Sequence, residues 1–259
     1  MEEDLLPNVT AFVPIKMESE RVPGKNIRML AGKPLCHWIL ETLLSVKSRG
    51  LIDRVCVFCS DPGIIPYLPS GVEFIKRSPE LDKPEVEGMT IYQSFRQQVN
   101  YGWLLLCHTT SPFLSPKSII KALRQVVFKS SEGGNRLDNV SHYDSAMSVA
   151  RLQTFSWFER QPLNYNPSQN IPRTQNIAPV IWETSGFYLF HVSLLNSNSR
   201  IGRNPLMIPV TGAEKVDIDT EEDWELAEAY AYNITRKNQA FESLTMDTSN
   251  SSGIDLDYE

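Results

Sequence analysis

Short apolar runs that alternate with amphipathic segments predict an α/β fold, a mostly parallel sheet flanked by helices. Two further observations support it. A cationic loop follows the first apolar run, at the place where open α/β sheets bind anions. The chain has 259 residues, 41% of them hydrophobic, enough for one large core and a small excursion rather than two equal domains.

The β-branched run from Val9 to Val13 opens the first strand, predicted over 9–15. An amphipathic stretch over 34–47 predicts a helix, and Val55-Cys56-Val57-Phe58-Cys59 a strand over 54–59. Strands at 72–76 and 103–108 enclose a helix at 88–98, and a further helix covers 115–128. Strands at 144–151, 186–191 and 206–210 complete the sheet, before a last helix over 221–236. Thr220 and Asp223 resemble a capping box that would start this helix. The main domain is therefore expected over 8–236.

Three segments interrupt the pattern. Residues 130–143 are polar, contain Gly133-Gly134, and read as an insertion-tolerant loop. An excursion over about 152–180 carries prolines, asparagines and the aromatics Phe155, Trp157, Phe158 and Tyr165, too irregular for a helix. Clustered aromatics of this kind mark an interface. The tail over 242–259 has the composition of a disordered segment.

A net charge of −6 argues against wrapping a nucleic-acid backbone, which needs a basic stripe. No apolar run approaches the ~18 residues of a membrane span, and the start Met1-Glu2-Glu3-Asp4 is unlike a secretory signal. A cytoplasmic protein acting on small molecules is expected, with no membrane or nucleic-acid partner. Cys56 and Cys59 form a C-x-x-C inside a strand run, with no second pair or histidine at ligand spacing. They read as buried thiols rather than a zinc or redox site.

The chemistry concentrates in two places. Residues 14–26, Pro-Ile-Lys-Met-Glu-Ser-Glu-Arg-Val-Pro-Gly-Lys-Asn, put Lys16, Arg21 and Lys25 on one loop, and three cations suit a polyphosphate whose charge is spread over many oxygens. Asp217 and Asp219, two apart at an expected strand end, leave the same face and can share a hard cation such as Mg²⁺. A strand end followed by a helix cap would use the same aspartates.

The loop at 14–26 resembles the signature of the CMP-sugar synthetases, the acylneuraminate cytidylyltransferases, usually Pro-Ala-Arg-Gly-Gly-Ser-Lys-Gly-Ile-Pro-Gly-Lys-Asn. Pro14, Ser19, Pro23, Gly24, Lys25 and Asn26 are identical. Leu106-Cys107-His108-Thr109-Thr110-Ser111-Pro112 resembles the family's Leu-Gln-Pro-Thr-Ser-Pro segment, and Asp217-Ile218-Asp219-Thr220 its Asp-Ile-Asp-Thr motif. Arg77-Ser78-Pro79-Glu80-Leu81 falls between the first two, and the resemblance covers residues 9–232.

The resemblance implies a Rossmann-like nucleotidyltransferase sheet and a homodimer whose excursion reaches the partner's site. It implies a reaction of CTP with an acidic 2-keto sugar to give a CMP-sugar and pyrophosphate. Lys16, Arg21, Lys25 and Asp219 would be catalytic, with Asp217 and Asp219 holding Mg²⁺. Pro14, Lys16, Ser19, Lys25, Asn26 and Arg77 would bind nucleotide. His108, Arg173, Thr184, Ser185 and Tyr188 would bind the sugar, Arg173 through its carboxylate.

There are departures. Met17 and Glu18 replace paired glycines, Lys16 an arginine, Glu20 a lysine and His108 a glutamine, and Thr184-Ser185-Gly186 stands for Asn-Gly-Ala. Two other readings share these features: a glycosyltransferase with an Asp-x-Asp pair, and a catalytically silent nucleotide-binding relative. The pair here precedes only the last predicted helix, which disfavours the glycosyltransferase.

The aromatic excursion leads to a first prediction. A twofold homodimer is expected in light scattering at micromolar concentration, and a strictly monomeric mass would remove the shared-site arrangement.

Overall fold

The computed structural model describes residues 8–99, 101–128 and 143–250, with 237–250 as backbone alone. The strands of the main sheet are β1 (Val9–Ile15), β2 (Arg54–Cys59), β3 (Glu73–Lys76), β4 (Trp103–Cys107), β5 (Ser145–Leu152), β6 (Val180–His191) and β7 (Pro205–Pro209). Their order across the sheet is β7-β5-β6-β4-β1-β2-β3. All neighbouring pairs are parallel except those of β6, which runs antiparallel to both β4 and β5. The expected mostly parallel α/β sheet is thus present.

Alternation along β1 builds two layers. Val9, Ala11, Val13 and Ile15 face the side covered by α1 (Leu35–Lys47) and α3 (Pro116–Leu123). Phe12 faces the other side with Phe58 and Leu106, against Tyr92 and Phe95 of α2 (Gly88–Gln98). Phe95 stacks on Phe12 at 4.4 Å and meets Phe58 edge-on at 5.2 Å. All four cysteines are buried and unpaired.

A third apolar cluster lies at the carboxyl edge of the sheet and matters most for the site. Val22 and Leu30 of the loop after β1 pack there with Val216, Ile218 and Trp224. Trp224 belongs to α4 (Glu221–Asn250), so burial holds the basic loop against the start of the last helix.

The structure corrects several boundaries. β6 begins at Val180 rather than 186, because Val180–Glu183 pair with the outer half of β5 before the register shifts. The helix expected over 115–128 becomes a π-turn from Arg124 to Phe128. Asp217 and Asp219 do not end a strand: β7 stops at Pro209, a 3₁₀ turn spans Gly212–Lys215, and an unpaired extended segment follows. Buried Val216 and Ile218 still alternate with the two aspartates, so the shared face survives without the strand.

α4 continues to Asn250, so the first part of the tail is helical, whereas 251–259 lie outside the described residues. So does the loop at 130–143, apart from Tyr143. The excursion holds a two-strand hairpin, Trp157–Phe158 with Gln161–Pro162, and Trp157 and Phe158 are exposed.

The capping box forms. Asp223 accepts from the amides of Asp219 and Thr220 at 3.0 and 2.8 Å, and its own amide donates to the Thr220 hydroxyl at 3.2 Å. Burial works against its charge, but the Thr220 hydroxyl, which donates to the carboxylate at 2.8 Å, and the two amides prevail and hold its carboxyl below the usual range.

Phe95 joins both strand aromatics, so Phe95→Ala should destabilise the fold by about 3–5 kcal/mol. Denaturant unfolding measures this, and a loss under ~1 kcal/mol would contradict the packing described.

Candidate active site

A cavity of about 480 Å³ opens at the carboxyl edge of β1 and β4. Pro14, Lys16, Glu18, Ser19, Glu20, Arg21, Lys25 and Asn26 line it from the loop after β1, and His108, Thr109 and Thr110 from the loop after β4. Its volume lies in the ordinary range for small-ligand sites.

Two buried side chains set the geometry. Asn26 donates to the Lys16 carbonyl at 2.7 Å and accepts from the Thr109 hydroxyl, clasping the two loops together. Gly24 has φ +61°, a left-handed conformation that costs a residue with a side chain about 1–2 kcal/mol. That turn directs Lys25 inward, where its Nζ donates to the Ile218 carbonyl at 2.6 Å and stands 3.8 Å from Asp219. Burial lowers the Lys25 pKa, with Asp219 opposing and Arg21 adding to the effect.

Arg21 donates to Asp219 at 2.8 Å from an exposed position. Lys16 lines the cavity and forms no ion pair among the described residues. Arg28 binds both Glu221 carboxylate oxygens and lies over Trp224 at 4.1 Å, fastening the loop to α4.

The departures in this loop have structural answers. Met17 packs against the core, and neither it nor Glu18 has a positive φ, so neither position requires glycine here. Glu18 and Glu20 line the cavity and offset part of its positive charge.

Asp217 and Asp219 differ in setting. Burial pushes the Asp217 carboxyl up, and its Oδ1 is buried with no hydrogen-bond partner among the described residues. Asp219 is half-exposed and faces Arg21 and Lys25. Ile218 between them donates its amide to the Thr110 carbonyl at 2.8 Å, so the β4 loop carries the segment.

On the other flank, His108 Nδ1 lies 2.7 Å from the Ser185 carbonyl, and burial lowers its pKa toward the neutral imidazole. Ser185 has φ +56° at the register break in β6, a strained position for a residue with a side chain. Ser148 of β5 holds that break by accepting from the Thr184 hydroxyl at 2.8 Å and the Phe187 amide at 3.1 Å. A Cβ on Gly186 would lie 3.0 Å from the Ser148 hydroxyl, which explains the glycine.

A profile of the cytidylyltransferase family matches residues 10–235. The chain belongs to that family. It is similar to N-acylneuraminate cytidylyltransferase A of Danio rerio, 28% identical over 231 residues, covering 85% of this chain and 50% of the relative. It is also similar to the CMP-N,N'-diacetyllegionaminic acid synthase of Legionella pneumophila, 29% identical over 245 residues, covering 85% of this chain and 94% of that one. The chain thus spans about half the length of the first of these relatives. A solved CMP:2-keto-3-deoxy-manno-octonic acid synthetase complexed with CTP superposes with TM-score 0.62 at 15% identity, covering 87% of this chain and 99% of that one, a likeness of fold.

In this cytidylyltransferase-family chain, Arg21 and Lys25 lie beside Asp219, whereas other expected positions lie apart from the cavity. Arg77 is buried, paired with Asp82 and donating to the Phe58 carbonyl at 3.3 Å, and is not among the cavity's lining residues. Arg173 is exposed at the start of a 3₁₀ turn in the excursion, also outside that lining. The side chains of Thr184 and Tyr188 are buried in the sheet rather than facing the cavity, because Ser148 and Glu183 occupy their polar groups.

Sequence reasoning missed Ser148 and Glu183, whose partners lie elsewhere in the sheet. Thr109 could have been found, since it lies in the segment that resembles the family.

Proposed function

We propose that this chain transfers a cytidylyl group from CTP to an acidic 2-keto sugar, giving a CMP-sugar and pyrophosphate. The observation that carries the reading is that Lys16, Arg21 and Lys25 line one cavity while Arg21 and Lys25 stand 2.8 and 3.8 Å from Asp219. The names of its relatives, which include synthases of two different CMP-acid sugars, support the choice of substrates.

In this reaction the anomeric hydroxyl oxygen of the sugar bonds to the α-phosphorus, its proton passing to solvent, as the α–β phosphoanhydride bond breaks and pyrophosphate leaves. Arg21 and Lys25 hold the polyphosphate and offset the charge that grows on the leaving group. Lys16 supplies a further cation, and Asn26 fixes the two loops so that the donors are in place before substrate arrives.

The two aspartates fit Mg²⁺. The orphaned, buried Asp217 Oδ1 is an oxygen donor without a proton donor, and Asp219, two residues on, stands against Arg21 and Lys25. Among the described residues no group of three or more His, Cys, Asp or Glu forms a closed metal cage, so water and phosphate oxygens would supply the rest. When bound, the ion would neutralise phosphate charge. Exposed Trp157, Phe158 and Ile171 support a dimer built through the excursion, and four buried free thiols suit the cytoplasm.

Pyrophosphate release in the presence of Mg²⁺ tests this. CTP should be used at least ~10²-fold better than UTP, because a pocket that hydrogen-bonds one base edge leaves polar groups unpaired with the other. Equal use of UTP would overturn the base assignment. Asp219→Asn should lower turnover by on the order of 10²-fold without unfolding the protein, and near-normal turnover at saturating Mg²⁺ would remove the metal assignment.

A further inference from the structure

His108 follows the last residue of β4, is half-buried, and lines the same cavity as Lys16, Arg21 and Lys25. Its Nδ1 lies 2.7 Å from the Ser185 carbonyl, and a carbonyl oxygen can only accept. The contact therefore puts the ring proton on Nδ1 and leaves Nε2 with an open lone pair. Among the described residues this is the ring's one hydrogen bond, so Nε2 is the nitrogen left for the cavity.

The tautomer is built into the backbone. Ser185 holds φ +56° at the register break of β6, and Ser148 fixes that break through the Thr184 hydroxyl and the Phe187 amide. Backbone strain that the surroundings over-determine clusters at functional positions, and here the strained residue supplies the carbonyl that sets the imidazole. Burial disfavours the charged ring, the Ser185 carbonyl opposes that, and Arg200 adds to the effect of burial. Asp217 also favours the charged ring, from a distance, with no ion pair between the two. The Tyr188 ring stands edge-on at 6.4 Å and is neutral. The net direction is downward, so the imidazole is a neutral base at physiological pH.

The cavity's carboxylates, Glu18 and Glu20, belong to the cationic loop, where a polyphosphate would put like charge beside them. The glutamine that stands at position 108 in the resembling signature carries an amide, which does not take up a proton near neutral pH.

We infer that His108 is the general base of the transfer, its Nε2 accepting the proton of the acceptor hydroxyl as that oxygen bonds to the α-phosphorus. The inference deepens the CMP-sugar reading and rests on it. The electron pair of the α–β bond leaves with pyrophosphate, the imidazolium keeps its Nδ1–H on the Ser185 carbonyl, and Nε2 then releases its proton to solvent. Because a glutamine has no such capacity, the role belongs to this chain rather than to the signature.

The test follows pyrophosphate release by the full-length protein with CTP, Mg²⁺ and acidic 2-keto sugars across pH. A base works only unprotonated, so wild-type kcat should rise with pH through the histidine range and level off above it. His108→Gln keeps a hydrogen-bonding side chain; it should lower kcat about 10²- to 10⁴-fold, leave both KM values little changed, and remove the acid limb. A ¹⁵N NMR titration of the wild type without substrates should show the Nδ1–H tautomer for His108 at neutral pH, and a midpoint below 6.5.

Near-normal kcat in His108→Gln, or an acid limb that survives in it, would overturn the inference and assign the limb to another group such as Asp217. A rise in the sugar's KM with kcat unchanged would overturn it too, reducing His108 to a binding residue. An Nε2–H tautomer would do so whether or not the variant folds. A wild type that releases no pyrophosphate with any acidic sugar would refute the functional reading, and this inference with it, a result distinct from the others because it precedes any comparison with a variant.

Discussion

The contact between Lys25 and the Asp217–Asp219 segment organises the site. A buried ammonium is costly unless its hydrogens are met, and Lys25 meets the Ile218 carbonyl and the neighbouring charge of Asp219. That demand joins the loop after the first strand to the segment before the last helix, 193 residues away in the chain. The apolar cluster around Val22, Ile218 and Trp224 closes the same gap by burial, with the Arg28–Glu221 pair at its rim. Neither the cationic loop nor the aspartates would hold a defined position without the other.

The flank around His108 follows a different principle. There the backbone itself is irregular: β6 loses register between Glu183 and Tyr188, and Ser185 takes a left-handed conformation. Ser148 compensates by satisfying a hydroxyl and an amide that the break leaves without ladder partners. The result brings a carbonyl to His108 and puts a carboxylate near Arg200. A bulge beside a binding site commonly re-aims side chains in this way.

Substitutions within the cationic loop after β1 show how a family signature tolerates change. Met17 compensates for a lost glycine by packing on the core, and the backbone there never needs a positive φ. Gly24 does need it, and Gly24 is retained. Glu18 and Glu20 add negative charge to a cavity still dominated by Lys16, Arg21 and Lys25, so the altered loop keeps an anion-binding character.

The order of strands and helices, the loop cations and the aspartate pair were legible in the chain alone. The elements depend on local patterning, period-two burial in β1, amphipathic spacing in the helices and a capping pair at Thr220 and Asp223, whereas the loop and the aspartates stood out through their resemblance to family motifs. Tertiary structure decided the rest. Arg77, Thr184 and Tyr188 looked like ligand residues from their neighbours in sequence, yet partners from other strands and loops bury them. Local sequence determines which face a side chain leaves, but long-range packing determines what it meets there.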